Sequence, residues 1–234
     1  MKTRRIYATG LLVLSCSCLV GCNLLREVEN REMVPQFETA KMRENVSPLN
    51  ERELCVQTAQ KLAAKGHATE AIKLYEKAER LESNDQSYDL ELASLFAQKG
   101  DSNTAVGRYE KAIANGHTNA STFNNLAWTL MDMGQADEAL ETVKRGLAVA
   151  SDDERLRATQ AVILHHKGDR ENALSNFEAI YGPSAAHHNM AILDLEAGQI
   201  DAAVEHAKLS AEYPDCSRES LALRDALLSK VSEK

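Results

Sequence analysis

Asn125-Leu126-Ala127-Trp128, followed by Gly134-Gln135-Ala136-Asp137-Glu138-Ala139, is the stretch that decides the fold. Its features recur along the chain. Glycines stand at 66, 100, 134, 168 and 198, at spacings of 34, 34, 34 and 30. Seven residues before each comes alanine (Ala59, Ala93, Ala127, Ala161, Ala191), and five residues after each comes alanine again (Ala71, Ala105, Ala139, Ala173, Ala203). Self-similarity at such a period marks a repeat architecture. A glycine in each column stops one helix, because it takes a left-handed C-cap freely. The alanines mark places where two helices cross closely. Large apolar residues complete the pattern: Leu62, Phe96, Leu130 and Leu164 four before the glycine, and Tyr75, Tyr109, Val143 and Phe177 nine after it. Each unit is a helical hairpin that cannot bury its own face and must stack on its neighbours.

Composition agrees. The chain has 234 residues, 44% apolar and 26% charged, with only 4 Pro and 11 Gly. That balance suits a core-forming soluble protein and excludes both a polytopic membrane protein and a disordered polyelectrolyte. The net charge is −8. An acidic surface argues against nucleic-acid binding, which needs a cationic footprint, so no nucleic-acid partner is expected.

These columns resemble the tetratricopeptide repeat (TPR) over residues 52–215, which implies an all-α solenoid of about five helical hairpins. Departures exist. The aromatic expected early in the first helix appears only as Phe123, and the fifth repeat carries Asp194 and Ala207 where large residues are usual. The shortened last step places Gly182-Pro183 at an early end of the fourth repeat's second helix, with a local kink expected there. Residues 217–234 read as a capping helix that turns Leu221, Leu223, Leu227, Leu228 and Val231 inward. The repeat array is assigned to residues 51–216.

The first residues carry an address. Lys2, Arg4 and Arg5 precede an apolar run from Ile6 to Val20, too short and interrupted to span a bilayer. It ends in Leu19-Val20-Gly21-Cys22, which resembles the bacterial lipobox. The resemblance implies removal of a signal peptide, residues 1–21, and acylation of Cys22, including an amide-linked chain such as palmitate. Multiple acyl chains anchor firmly, at roughly 0.8 kcal/mol per buried CH₂. Asn23 rather than Asp after the cysteine implies the periplasmic face of the bacterial outer membrane. Residues 22–50 read as a lipidated tether. Loss of the leader would take three of the 27 basic residues and none of the 35 acidic ones, making the chain more acidic still.

In each first helix a second stripe runs beside the core stripe. By resemblance to TPR modules it lines a concave groove. It turns apolar toward the C-terminal half, through Asn124, Trp128 and Met131, then Val162 and His165, then His188, Ile192 and Leu195. Tryptophan is the residue type most enriched at binding hot spots. The groove is therefore expected to dock a partner helix or extended peptide, and the resemblance adds Asn125 as a donor to the ligand backbone. The alternative is that Trp128 packs against a neighbouring repeat or the capping helix. A carboxylate clamp, the best-known TPR ligand mode, needs basic residues in these columns, and they hold only Arg155.

No catalytic residues, cofactor or metal site are expected. H-E-x-x-H, G-x-S-x-G and phosphate-loop motifs are missing. His165-His166 and His187-His188 are adjacent pairs, and neighbours on a helix diverge by about 100°, so neither pair chelates alone. A metal-dependent or small-molecule groove around His165 and His188 stands as the minor alternative. Cys55 and Cys216 lie at opposite ends of the array, too far apart for an internal disulfide; Cys55 falls in a core column. The expected role is a non-enzymatic scaffold for an envelope protein. The resemblance is to TPR lipoproteins of tight-adherence (Flp) pili, which implies a pilus secretin or other Flp pilus component as partner. The same design occurs in type IV pilotins, outer-membrane protein insertion and cell-wall enzyme regulation.

Overall fold

The structure is a computed structural model that describes residues 48–81 and 87–232. The leader, Cys22 and nearly all of the tether lie outside the described residues. Eleven α-helices are present among those described, with no strand. Ten pair into five hairpins: α1 (Pro48–Ala64) with α2 (Ala68–Arg80), α3 (Asp89–Lys99) with α4 (Ser102–Ala114), α5 (Ala120–Asp132) with α6 (Ala136–Val149), α7 (Glu154–His166) with α8 (Arg170–Tyr181), and α9 (Pro183–Glu196) with α10 (Ile200–Glu212). α11 (Arg218–Ser232) follows as the capping helix.

Local chemistry sets the boundaries. Asp101, Asn119, Asp153 and Asp169 each accept a hydrogen bond from the backbone N–H three residues on, capping α4, α5, α7 and α8. At the other end, Gly100 has φ +82°, and Asp101 N donates to Phe96 O at 2.9 Å, which closes α3 in a Schellman turn. The other glycines of the 34-residue column share the positive φ. Gly182, at φ 79°, ends α8 and begins α9 in a single residue, with Pro183 in the first turn.

Packing confirms the alanine columns. Ala59, Ala93, Ala127, Ala161 and Ala191, and likewise Ala71, Ala105, Ala139, Ala173 and Ala203, are all 0% exposed. A cluster of buried apolar side chains runs from Cys55 on α1 to Ile163 on α7. Gly146, inside α6, marks a closer approach than any alanine allows: a Cβ there would lie 2.8 Å from Phe123 Cβ and 2.9 Å from Leu156 Cδ1. Successive first helices also touch, α3 with α5 and α5 with α7, so they form the inner layer of the stack. Cys55 is buried, and Cys55 and Cys216 are free thiols.

The capping helix departs from expectation. Leu227 is 3% exposed and joins Ala191, Ala203 and Ala207 in a small cluster, with Leu223 beside it. Leu221 is half-buried, but Leu228 and Val231 are 37% and 43% exposed. Val231 edges a shallow depression of about 560 Å³ with residues 198–202, at the junction of α10 and α11.

Candidate partner-binding groove

α5 carries the groove residues that stay accessible. Its core stripe, Phe123, Leu126, Ala127 and Leu130, is buried against the neighbouring helices. This fixes the rotation of the helix and leaves Trp128 facing outward at 36% exposure. Asn125, one turn earlier, is exposed. Its side chain also bonds the hydroxyl of buried Tyr109, which lies 3.2 Å from Ser94 Oγ. Burial pushes that phenol above its usual pKa, while the hydrogen bonds to Ser94 and Asn125 pull the other way. Asn124 is half-buried and accepts from Thr159 Oγ1 of α7 at 2.7 Å, fastening two first helices together. Met131 is half-buried beside the main core.

Toward the C-terminus the groove differs from its sequence reading, and three residues expected on its wall are covered. Val162 is 3% exposed, on the helix that packs directly against α5. His165 is 6% exposed and its Nε2 lies 2.6 Å from Asp194 Oδ1. A carboxylate only accepts, so this contact requires the tautomer with its proton on Nε2, and Arg170 Nη1 lies 3.2 Å from the same nitrogen. His188 is also 6% exposed, with Ser220 of α11 3.1 Å from its Nδ1. The capping helix, which lies outside the repeat, thus occupies this part of the stripe. Ile192 and Leu195 are half-buried, and Leu195 packs on the small C-terminal cluster.

What the sequence reading missed is a buried polar network at the junction of the last two repeats. Asp194 is 0% exposed. It accepts from His165 and from Arg170 Nη2 at 2.5 Å, while Arg170 Nη1 donates to Gln199 Oε1 at 2.8 Å. His206 Nε2 is 3.9 Å from Asp194, and His206 Nδ1 is 2.8 Å from His187 Nδ1. His187 stacks on Tyr213 with ring centroids 6.1 Å apart. Burial pushes the pKa of both His187 and His206 down. Two donors cannot face each other at this spacing, so the pair requires a neutral partner. The available signal was Asp194 itself, an acid in a column where the other repeats place Leu or Phe. No group of three or more His, Cys, Asp or Glu side chains among the described residues is arranged to hold a metal.

The network ties helices together, whereas the exposed indole and amide on α5 offer apolar area and a hydrogen-bonding edge to another chain. Residues 96–163 match the tetratricopeptide repeat family. Solved structures share the fold. A tetratricopeptide repeat protein from Parabacteroides merdae is 18% identical, with TM-score 0.60 over 78% of this chain and 74% of its own. PilW, a widely conserved type IV pilus biogenesis factor, is 16% identical, with TM-score 0.54 over 77% and 86%. YrrB, a TPR protein with an unusual peptide-binding site, is 20% identical, with TM-score 0.54 over 73% and 90%. No curated protein sequence matches the chain. The fold is that of a TPR solenoid.

Proposed function

We propose that this protein is a lipid-anchored TPR scaffold on the periplasmic face of the outer membrane. It holds an envelope protein in its groove during assembly of a tight-adherence (Flp) pilus, with a pilus secretin as the favoured partner. The observation that carries the docking role is Trp128: a large aromatic on an inner-layer helix that is 36% exposed, of the residue type most enriched at protein-binding hot spots. The lipobox at residues 19–22 supports the address. Chain length, leader and repeat number resemble TadD of the Flp pilus, and the likeness in fold to PilW is compatible with pilus work. The same features suit a TPR lipoprotein of another envelope machine, and the identity of the captured protein separates the two.

The test is affinity capture from detergent-solubilised envelopes. Wild-type protein retains a discrete partner, and Trp128→Ala loses it while keeping its helical circular dichroism and Tm. Undiminished capture by a folded Trp128→Ala protein would overturn docking at the groove. Cys22→Ser, grown with labelled palmitate, is expected to lose the label and the membrane fraction. Retention of both would overturn the anchor.

A further inference from the structure

The third repeat ends its first helix differently from its neighbours. Repeats one, two and four place Lys65, Lys99 and Lys167 just before the capping glycine, where a cation meets the negative end of the helix dipole. Repeat three has Asp132-Met133-Gly134 instead, and repeat five Glu196-Ala197-Gly198. Asp132 is the last residue of α5, so its carboxylate lies against the C-terminal carbonyls, the least favourable end for a negative charge. Its side chain makes no hydrogen bond or ion pair among the described residues. Other acids on the stack do better: Asp137 is paired with Lys167, Asp153 with Arg155 and Glu110 with Arg145. Desolvation without a compensating partner pushes the Asp132 pKa up.

Asp132 also lies one helical turn from Trp128, at i+4, so carboxylate and indole share one face of α5 and both are exposed. We propose that this turn receives a lysine or arginine side chain from the docked partner, its alkyl stem lying on the indole and its charged head on the Asp132 carboxylate. This rests on the groove docking proposed above and specifies its chemistry. Long basic side chains combine an apolar stem with a cationic head, and the geometry offers a surface for each. Charge complementarity favours the same occupant. The one basic residue of the groove columns, Arg155, is held by Asp153 at 3.0 Å. An incoming cation therefore meets a carboxylate with no partner of its own, whereas an acidic peptide is repelled by Asp132.

Trp128 is the chain's single tryptophan, so its fluorescence reads the site directly. The purified full-length chain is titrated with a leucine–serine peptide bearing one central arginine, and with the same peptide carrying citrulline, which keeps the shape and removes the charge. The expected result is saturable quenching by the arginine peptide, with about ten-fold weaker binding on replacement by citrulline and the same loss in Asp132→Asn. Equal affinity for the two peptides, or unchanged affinity in Asp132→Asn, would overturn the cation site and leave groove docking standing. Failure of both peptides to perturb Trp128 would overturn both.

Discussion

The first three hairpins and the last two are built on the same columns but differ in whether the core column four before the glycine carries a charge. From α1 to α7 a continuous apolar core dominates, with Leu126, Val143, Leu156 and Ile163 all 0% exposed, and one ion-pair group beside it, Arg108 with buried Asp89 at 2.7 Å and Glu79 at 2.8 Å. At the fifth repeat two large columns change: Asp194 stands where Leu62, Phe96, Leu130 and Leu164 stand, and Ala207 where Tyr75, Tyr109, Val143 and Phe177 stand. The space is taken by His165, Arg170, His206 and His187 around a buried carboxylate. An apolar contact does not titrate, whereas a buried ionic one stands only while every member is present in its correct protonation state. The repeat pattern thus specifies where helices lie, but not what bonds them.

This contrast can be broken at its polar end. Asp194→Ala leaves the Arg170 guanidinium with Gln199 alone and removes the acceptor of His165. It should cost about 3 kcal/mol and loosen amide exchange protection in α7 to α10 while leaving α1 to α4 protected. Uniform loss of protection along the stack would show that the halves are not distinct. At the apolar end the sharpest test is Gly146→Ala. Helix propensity alone would stabilise the protein by about 1 kcal/mol. The added methyl meets Phe123 and Leu156 below 3.0 Å, so a net loss of about 1–3 kcal/mol in denaturant unfolding is expected. A stabilised variant would mean that α6 has room that the packing denies.

A smaller effect comes from pH. His187 and His206 both have folded pKa values lowered by burial. The unfolded chain therefore binds more protons below the ordinary imidazole value near 6.5, and stability rises with pH through this range. The contribution is present above about pH 6.5 and is lost as pH falls from there toward the depressed folded values. Thermal unfolding should show a lower Tm at pH 5.5 than at pH 7.5, and His206→Gln should flatten the difference. A Tm independent of pH in the wild-type chain would contradict the neutral histidine pair.

The fold was legible because glycine and alanine columns act within one helix or one crossing, and every alanine of the two columns is fully buried. The groove was only half legible. Helical spacing gives the direction a side chain takes from its own helix, and Trp128 and Asn125 are exposed along that direction. It does not give what arrives from elsewhere. His188 is covered by Ser220, 32 residues away, and His165 is bound to Asp194, 29 residues away. Gly146 was equally silent, since its reason lies on the helices before and after its own. Asp194 was the clue available, because a buried carboxylate demands cationic and hydrogen-bonding partners.

Docking on the inner face of α5 is tested most directly by site-specific photo-crosslinking in living cells. A photoreactive phenylalanine analogue at position 128 is compared with the same residue at position 149, where Val149 is 60% exposed at the end of α6 in the other layer. The expected outcome is a discrete adduct with an envelope protein at 128 and none at 149. The same adducts at both positions, or none at 128 in a folded and expressed protein, would contradict it.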